Sequence, residues 1–451
     1  MTHDLKGIFN AQRHAVNQTP FPTLSVRRKR LARLAQMTKR HQHDIVRAIQ
    51  ADFGQRSAVE IRLAEINSVI QAISYTRRHL WHWMRAWRAS MPWRLLPARA
   101  RISPQPLGIV GVISPWNYPW SLALMPVIDA FAAGNVVMLK PSELSPHTSA
   151  LLARLVAQYF TQDELSVIQG DALIAQEFSA LPFDHLVFTG STSVGRQVAS
   201  AAAANLTPVT LELGGKSPVL VAGDADMDKT ASAIIFGKAF NGGQTCLAPD
   251  YVLVESRHLD ALISALSRAI VHQRPDSREV TQPINEAHQQ RIEAMLAQAR
   301  NHGCRVIDHG DYAPALVIDP TQDLRIMREE IFGRGLPVIS VKSIDAALTF
   351  INARPHALAL YAFTNDKTLQ SRLLKTTRSG ALVFNETLLH HAVPTLPFGG
   401  VGESGMGAYH GRSGFDRFSH LRSVFHQAKR ATSRFLHPPY RRWLINLLRL
   451  G

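Results

Sequence analysis

Between Ile109 and Leu213 the chain repeats one pattern: a short, continuously apolar run, a helical segment, then another apolar run. The runs are IVGVI (109–113), VVMLK (136–140), LSVIQG (165–170), HLVFTG (185–190) and PVTLEL (208–213). Between them lie SLALMPVIDAFAAG, HTSALLARLVAQYF and SVGRQVASAAAANL, all helical in pattern. A strand that is apolar at every position, and not at alternate ones, is buried on both faces. Alternation of such strands with helices predicts a parallel sheet covered on both sides. A second α/β stretch runs from Lys216 to about Gly400, with YVLVE, ALVID and ALYAFT as strands. A chain of 451 residues has room for two such units, one after the other.

The first hundred residues read as helices. Ser25 precedes VRRKRLARLAQM, where Val26, Leu31, Leu34 and Met37 form one apolar stripe. Ser57-Ala-Val-Glu60 has the form of a capping box, followed by Ile61, Ala64, Ile66, Ile70 and Ile73 at helical spacing. The tryptophan-rich stretch Trp81 to Trp93 reads as a helix end and packing contact, not a ligand box. No internal repeat or low-complexity segment occurs.

Charge is distributed unevenly. Residues 1–101 hold 19 Lys and Arg against 5 Asp and Glu, residues 417–451 hold 8 against none, and residues 102–416 hold 23 against 29. Basic ends can attract nucleic acid, but no aromatic-interleaved basic motif, zinc-finger spacing or heptad repeat accompanies them. Solvated basic helices on an enzyme are the expected reading, with no nucleic acid as the main role. Only Cys246 and Cys304 occur, which excludes a disulfide scaffold and a multi-cysteine metal site. The opening MTHDLKGIFN has no apolar core and no run of about 18 apolar residues occurs, so a cytoplasmic protein without a membrane span is expected.

Four segments can carry chemistry, and each has a bland alternative. Phe188-Thr-Gly-Ser-Thr-Ser-Val-Gly-Arg196 lies where a strand gives way to a helix. Gly190, Ser191 and Gly195 there either bring backbone N–H groups to a phosphate or form an ordinary turn. Lys140-Pro-Ser-Glu143 closes a strand; Lys140 and Glu143 suit ribose hydroxyls, or a surface turn. Cys246, in Phe240-Asn-Gly-Gly-Gln-Thr-Cys246, is an accessible nucleophile or an inert core thiol. Glu212, in Leu211-Glu-Leu-Gly-Gly-Lys216, is a general base whose pKa burial would raise, or a capping or salt-bridged acid.

Together with Pro115-Trp-Asn-Tyr-Pro119, Glu329-Glu-Ile-Phe-Gly333 and Pro397-Phe-Gly-Gly400, these segments occur in one order over roughly residues 25–425. In that combination the sequence resembles the NAD(P)-dependent aldehyde dehydrogenase superfamily. The run Gly399-Gly-Val-Gly-Glu-Ser-Gly-Met-Gly-Ala-Tyr-His-Gly411 is similar to its class 3 branch, nearest the bacterial coniferyl-aldehyde-dehydrogenase-like group.

The resemblance implies a Rossmann-like cofactor domain over 1–212, interrupted by an oligomerisation hairpin at about 97–106. It implies a catalytic α/β domain over 213–403, and an oligomerisation strand with a basic tail over 404–451. It makes Cys246 the nucleophile, Asn117 an oxyanion donor and Glu212 the base. Lys140 and Glu143 would contact the adenosine ribose, and Gly190, Ser191 and Gly195 the pyrophosphate. Glu330 would hold the nicotinamide ribose, Phe332 would pack beside the ring and Phe398 would border the substrate tunnel. No metal is implied.

NAD is the expected cofactor, with NADP possible. The expected substrate is an aromatic aldehyde such as coniferyl aldehyde, or a medium-chain one, and the expected assembly a homodimer through residues 99–104 and 415–424. After EEIFG the family usually has proline, where this chain has Arg334; the change could loosen the nicotinamide clamp or add charge beside it. Cys304 matches no motif and reads as structural. The tail from Phe435 either docks on a partner subunit or touches an anionic membrane surface. Two rivals remain: a coenzyme A-acylating relative, which typically lacks the acid that Glu212 supplies, and a catalytically silent membrane- or nucleic-acid-binding relative.

Overall fold

The computed structural model describes residues 4–310, 312–429, 437–439 and 442. The proposed membrane-contact run Trp443 to Leu448 lies outside the described residues. Among the described residues no helix is long and apolar enough to cross a membrane.

Three helices, Leu5–Gln18, Leu24–Arg40 and Gln42–Phe53, open the chain. The second starts earlier than the sequence suggested. Thr23 and not Ser25 is its cap, accepting the Val26 N–H at 3.4 Å, because extended backbone at Thr23, just after Pro22, ends the non-helical lead-in. The stripe residues Leu31, Leu34 and Met37 are fully buried. So are two of the basic residues. Arg27 donates to the carbonyls of Ala132 (2.9 Å) and Ala133 (2.6 Å), and Arg30 to that of Asn135 (3.2 Å). They satisfy acceptors at the C-terminal end of the Ser121–Ala133 helix, where orphan carbonyls collect. Part of the N-terminal positive charge is thus structural and not a solvated face.

Helical backbone then runs from Ala58 to Trp83, interrupted by a π-helical turn at Arg62–Asn67. Half of the capping box forms: Ser57 Oγ accepts the Glu60 N–H at 3.2 Å. Glu60 does not reach back; its carboxylate accepts from Asn241 N–H (3.0 Å) and Thr281 Oγ (3.1 Å). Of the tryptophans at 81–93, Trp83 packs inside against Phe415, whereas Trp81 and Trp93 are exposed.

Next come β1 (Trp87–Ala89) and β2 (Arg99–Pro106), then β3 (Ile109–Ile113), β4 (Val136–Lys140), β5 (Leu165–Val167), β6 (His185–Gly190) and β7 (Val209–Leu213). A second series follows: β8 (Pro218–Val221), β9 (Tyr251–Glu255), β10 (Arg305–Ile307), β11 (Ala315–Ile318), β12 (Gly335–Val341), β13 (Ala359–Phe363) and β14 (Ala381–Phe384). Finally β15 (Gly405–Met406) and β16 (Ser419–His426) return to the first half of the molecule.

The first sheet has the order β15-β7-β6-β3-β4-β5 and is parallel except for β15. The second has the order β10-β11-β12-β9-β8-β13-β14 and is parallel except for β10. As the uniform apolarity required, β3, β4, β8 and β13 are buried at every position. The third sheet, β1-β2-β16, is antiparallel. The hairpin placed at 97–106 therefore corresponds to its second strand alone; its partner β1 lies before the expected bounds. The C-terminal strand begins at Ser419, because Phe415 to Arg417 complete the Gly411–Arg417 helix.

In the first sheet, successive strands run outward from β3 through β4 to β5, then resume on its other side with β6 and β7. Strand order reverses between β3 and β6, and the crevice beyond the carboxyl ends at such a point receives ligands in parallel α/β sheets. The segment after β3 is held from the N-terminal layer. Glu65, in the π-helical turn, accepts the N–H groups of Trp120 (3.1 Å) and Ser121 (2.8 Å) and pairs with Arg56 at 3.0 Å, both side chains being fully buried. Arg56 also donates to the Asn117 carbonyl at 3.0 Å and stands over the Phe53 and Tyr118 rings. Removing one member of a buried pair strands the other, at a typical cost of about 3 kcal/mol or more. Arg56→Met should lower unfolding stability by about that amount in urea titration and reduce turnover too, since the Asn117 carbonyl loses one of its two donors. A change below about 1 kcal/mol would show that the pair does not anchor this segment.

Candidate active site

The carboxyl edge of the first sheet gathers four of the expected residues: Asn117 just after β3, Lys140 ending β4, Gly190 ending β6, and Glu212 on β7. Cys246 and Glu330 come from the second sheet, just before β9 and β12. The loop that presents Cys246 is tightly coiled. Asn241, Gly242 and Gly243 adopt φ values of +54°, +61° and +76°. A Cβ on Gly243 would lie 2.4 Å from the Gly333 carbonyl oxygen, so this approach requires glycine. Asn241 Nδ2 donates to the carbonyls of Asn117 (3.0 Å) and Gln244 (3.1 Å), and Asn117 Nδ2 donates to the Gln244 carbonyl (3.0 Å). The Asn117 amide is thus fixed beside the cysteine loop. Tyr118 and Thr245 hydroxyls meet at 2.7 Å, and Tyr361 holds the Leu247 carbonyl at 2.7 Å.

Cys246 is partly exposed, and its thiol opens on a cavity of about 380 Å³ lined by Tyr118, Leu122, Met125, Phe236 and Phe398. Desolvation, reinforced by Glu330 and Glu212, pushes its pKa up to about 12. Glu212 is buried, and neither carboxylate oxygen has a partner, so it is neither capping nor salt-bridged. Burial raises its pKa well above the ordinary carboxylate range.

Glu330 and Phe332 lie on the loop that precedes β12. The Glu330 carboxylate lies against Gly214, where a Cβ would sit 2.0 Å from it. Desolvation and then Asp250 push its pKa up to about 8. Phe332, at φ +50°, meets Trp116 edge to face at 5.4 Å. A charged network holds this loop from behind. Lys216 pairs with Asp250 and donates to the carbonyls of Ile326 (2.8 Å) and Glu329 (2.9 Å), Asp250 accepts the Ile331 N–H (2.9 Å), and Arg291 donates to the Glu330 carbonyl (3.2 Å). Arg334, where proline was expected, binds Glu293 (2.9 Å) and Asp308 (2.8 Å). It fastens the start of β12, and its charge is matched by two acids.

On the outer side, buried Lys140 pairs with exposed Glu143 at 2.7 Å. Ser191 caps the Thr192–Ala203 helix through the Val194 N–H (3.4 Å), and Gly195 lets that helix sit against Leu213. A buried lysine, a helix N-terminus and a glycine-lined crevice at the switch point fit a dinucleotide. Cys304 packs against the second sheet's core, away from this constellation. The positioning residues Arg56, Glu65, Asn241, Lys216, Asp250 and Arg291 were not singled out in the sequence. Only the paired glycines after Asn241 hinted at strained backbone there.

The site has the composition of an oxidoreductase that works through a cysteine. Residues 3–424 match the model of the aldehyde dehydrogenase family. The chain is 43% identical to the "Probable coniferyl aldehyde dehydrogenase" of Pseudomonas aeruginosa, covering 97% of this chain and 94% of that one. It is 44% identical to the "Coniferyl aldehyde dehydrogenase" of Pseudomonas sp. strain HR199, covering 90% and 87%. The structure of Staphylococcus aureus AldH in its substrate-bound state superposes with a TM-score of 0.95 at 36% identity, covering all of both chains. The chain belongs to the aldehyde dehydrogenase family. It is an oxidoreductase that converts an aldehyde to the carboxylic acid with NAD(P).

With the thiol pKa raised to about 12, alkylation of Cys246 by iodoacetamide in the cofactor-free protein should accelerate about tenfold per pH unit from pH 7 to 9, followed on its own peptide by mass spectrometry. A rate already level at pH 7 would mean that the resting protein holds a thiolate.

Proposed function

We propose that Cys246 attacks the aldehyde carbon as a thiolate, giving a thiohemiacetal whose oxyanion accepts from Asn117 Nδ2 and the Cys246 N–H. The chemistry NAD(P)+ supplies when bound is acceptance of the hydride, which leaves a thioester on Cys246. Glu212 takes a proton from the water that hydrolyses this thioester. The observation that carries the assignment is Glu212 itself, buried with both oxygens unpartnered and close enough to Cys246 to raise its pKa. A relative that passes the acyl group to coenzyme A would have no use for such a base.

Lys140 and Glu143 hold the adenosine ribose, Gly190, Ser191 and Gly195 border the pyrophosphate, Glu330 grips the nicotinamide ribose and Phe332 packs beside the ring. Domain limits at 1–212, 213–403 and 404–451 follow from the same reading. β16 is an edge strand with exposed Leu421 and Phe425, which supports a homodimer formed across it. Two unpaired cysteines support a cytoplasmic setting. The substrate is an aromatic aldehyde of the coniferyl type, on the relatives' names and the apolar, ring-lined cavity.

NAD+ is the preferred cofactor, because the Glu143 carboxylate accepts from a ribose 2′-hydroxyl and repels a 2′-phosphate. Glu143 is about half exposed, so the repulsion is screened and the preference is a bias. Glu143→Gln should narrow the NAD+ to NADP+ ratio of kcat/KM by about tenfold or less. An unchanged ratio would move the discrimination to another residue.

A further inference from the structure

The cavity beside Cys246 is apolar along most of its wall, and one of its polar stretches is both buried and titratable. Tyr118, Ser121, Leu122, Met125, Ile128 and Asp129 line it from a single face of the Ser121–Ala133 helix and its lead-in. From Ser121, beside the Asn117 segment, to Asp129 the helix rises about 12 Å at 1.5 Å per residue. Asp129 therefore stands well down the cavity from the oxyanion side chain. There it meets a polar group made by two other segments. Its Oδ2 accepts the His410 backbone N–H at 3.0 Å, and the His410 ring lies 5.0 Å from that of His391, centroid to centroid. All three residues line the cavity.

This group is not accounted for by internal bonding. Asp129 is 3% exposed and among the described residues its carboxyl accepts only the His410 N–H. His391 Nδ1 and His410 Nε2 are buried without a partner. The one internal bond explains why an acid sits at Asp129, since it secures the His410 turn, but it gives His391 no purpose. Buried polar groups left unmatched cost stability and are commonly matched by a ligand or water.

We infer that Asp129 and His391 form a distal subsite that binds a hydroxyl at the far end of the aldehyde, such as the para hydroxyl of an arylpropenal. This deepens the aromatic-aldehyde reading given above and rests on it. A hydroxyl both donates and accepts, so it can satisfy an imidazole of either tautomer and a carboxyl in either protonation state. A terminal carboxylate would be a charge desolvated among apolar side chains beside a buried acid. A terminal ammonium would be desolvated among rings, facing a carboxyl already committed to His410. Burial lowers the His391 pKa to about 4 and raises that of Asp129 to about 8, so the wall is largely neutral near pH 7 and suited to an uncharged group.

The test uses two amides that cannot be oxidised, cinnamamide and 4-hydroxycinnamamide, bound to the NAD+-loaded full-length protein and measured by calorimetry. Wild type should bind the hydroxylated amide about tenfold more tightly. His391→Leu should reduce that preference to within about twofold, and Asp129→Asn, which keeps an acceptor for the His410 N–H, should reduce it several-fold. Equal affinities in wild type, or a preference unchanged in both variants, would overturn the subsite. Because the amides report binding alone, this outcome is distinct from failure of the aldehyde reading, which would appear as absence of cinnamaldehyde oxidation by the wild type.

Discussion

The arrangement of this enzyme depends on one buried ion pair. Arg56 and Glu65 come from the N-terminal helical layer, yet what they organise is the segment after β3. Glu65 accepts two N–H groups at the start of the Ser121–Ala133 helix, and Arg56 donates to the Asn117 carbonyl. Two ions out of water cost least when their remaining valences are used. Here the acid's are used by main-chain donors, whereas Arg56 Nε and Nη2 are buried with no hydrogen-bond partner among the described residues and the guanidinium stands over two aromatic rings. The π-helical turn at Arg62–Asn67 delivers Glu65 to that position, and its neighbours Leu63, Ala64 and Asn67 line the substrate cavity. One local irregularity therefore shapes the cavity and fixes the segment that carries Asn117, the proposed oxyanion donor.

Around Cys246 the electrostatics run the other way. Glu212 has no hydrogen-bond partner among the described residues, and Glu330 lies against Gly214 with its pKa pushed up to about 8. As carboxylates both raise the pKa of the thiol, so the resting thiol keeps its proton. Reactivity then requires that protons leave, and Glu212 is placed to receive one. The clamp behind Glu330 is built in the opposite manner, with Lys216, Asp250, Arg291 and Arg334 each paired or bonded to backbone. That clamp is held by internal bonds, whereas the Glu212 carboxylate has no hydrogen-bond partner among the described residues.

The sequence revealed most where a pattern was dictated by burial on both faces. β3, β4, β6 and β7 were legible because a doubly covered strand is mostly apolar on both faces, and Cys246, Glu212 and Lys140 because each interrupts an apolar or glycine-rich run. β1 was not legible, since three residues of an exposed arm carry no alternation. Neither was the fate of Glu60, whose spacing from Ser57 suits a capping box but whose carboxylate finds Asn241, 181 residues away. The roles of Arg27 and Arg30 were hidden for a similar reason: a guanidinium that caps another helix looks, in one dimension, like surface charge. Arg334 departs from the family's proline, and only the structure reveals the two acids that accommodate it.

The central claim is that Glu212 is the base for the second half of the reaction, acting on a thioester held by Cys246. Glu212→Gln, mixed with an aromatic aldehyde and excess NAD+, should release at most about one NADH per Cys246. Turnover should then fall about a hundred- to ten-thousand-fold below wild type, because an amide cannot accept the water's proton. Intact-protein mass spectrometry of the stalled enzyme should find the acyl group added, on the peptide containing Cys246. Continued turnover with no accumulated acyl-enzyme would contradict the account and make Glu212 a buried acid of the sheet with no part in hydrolysis.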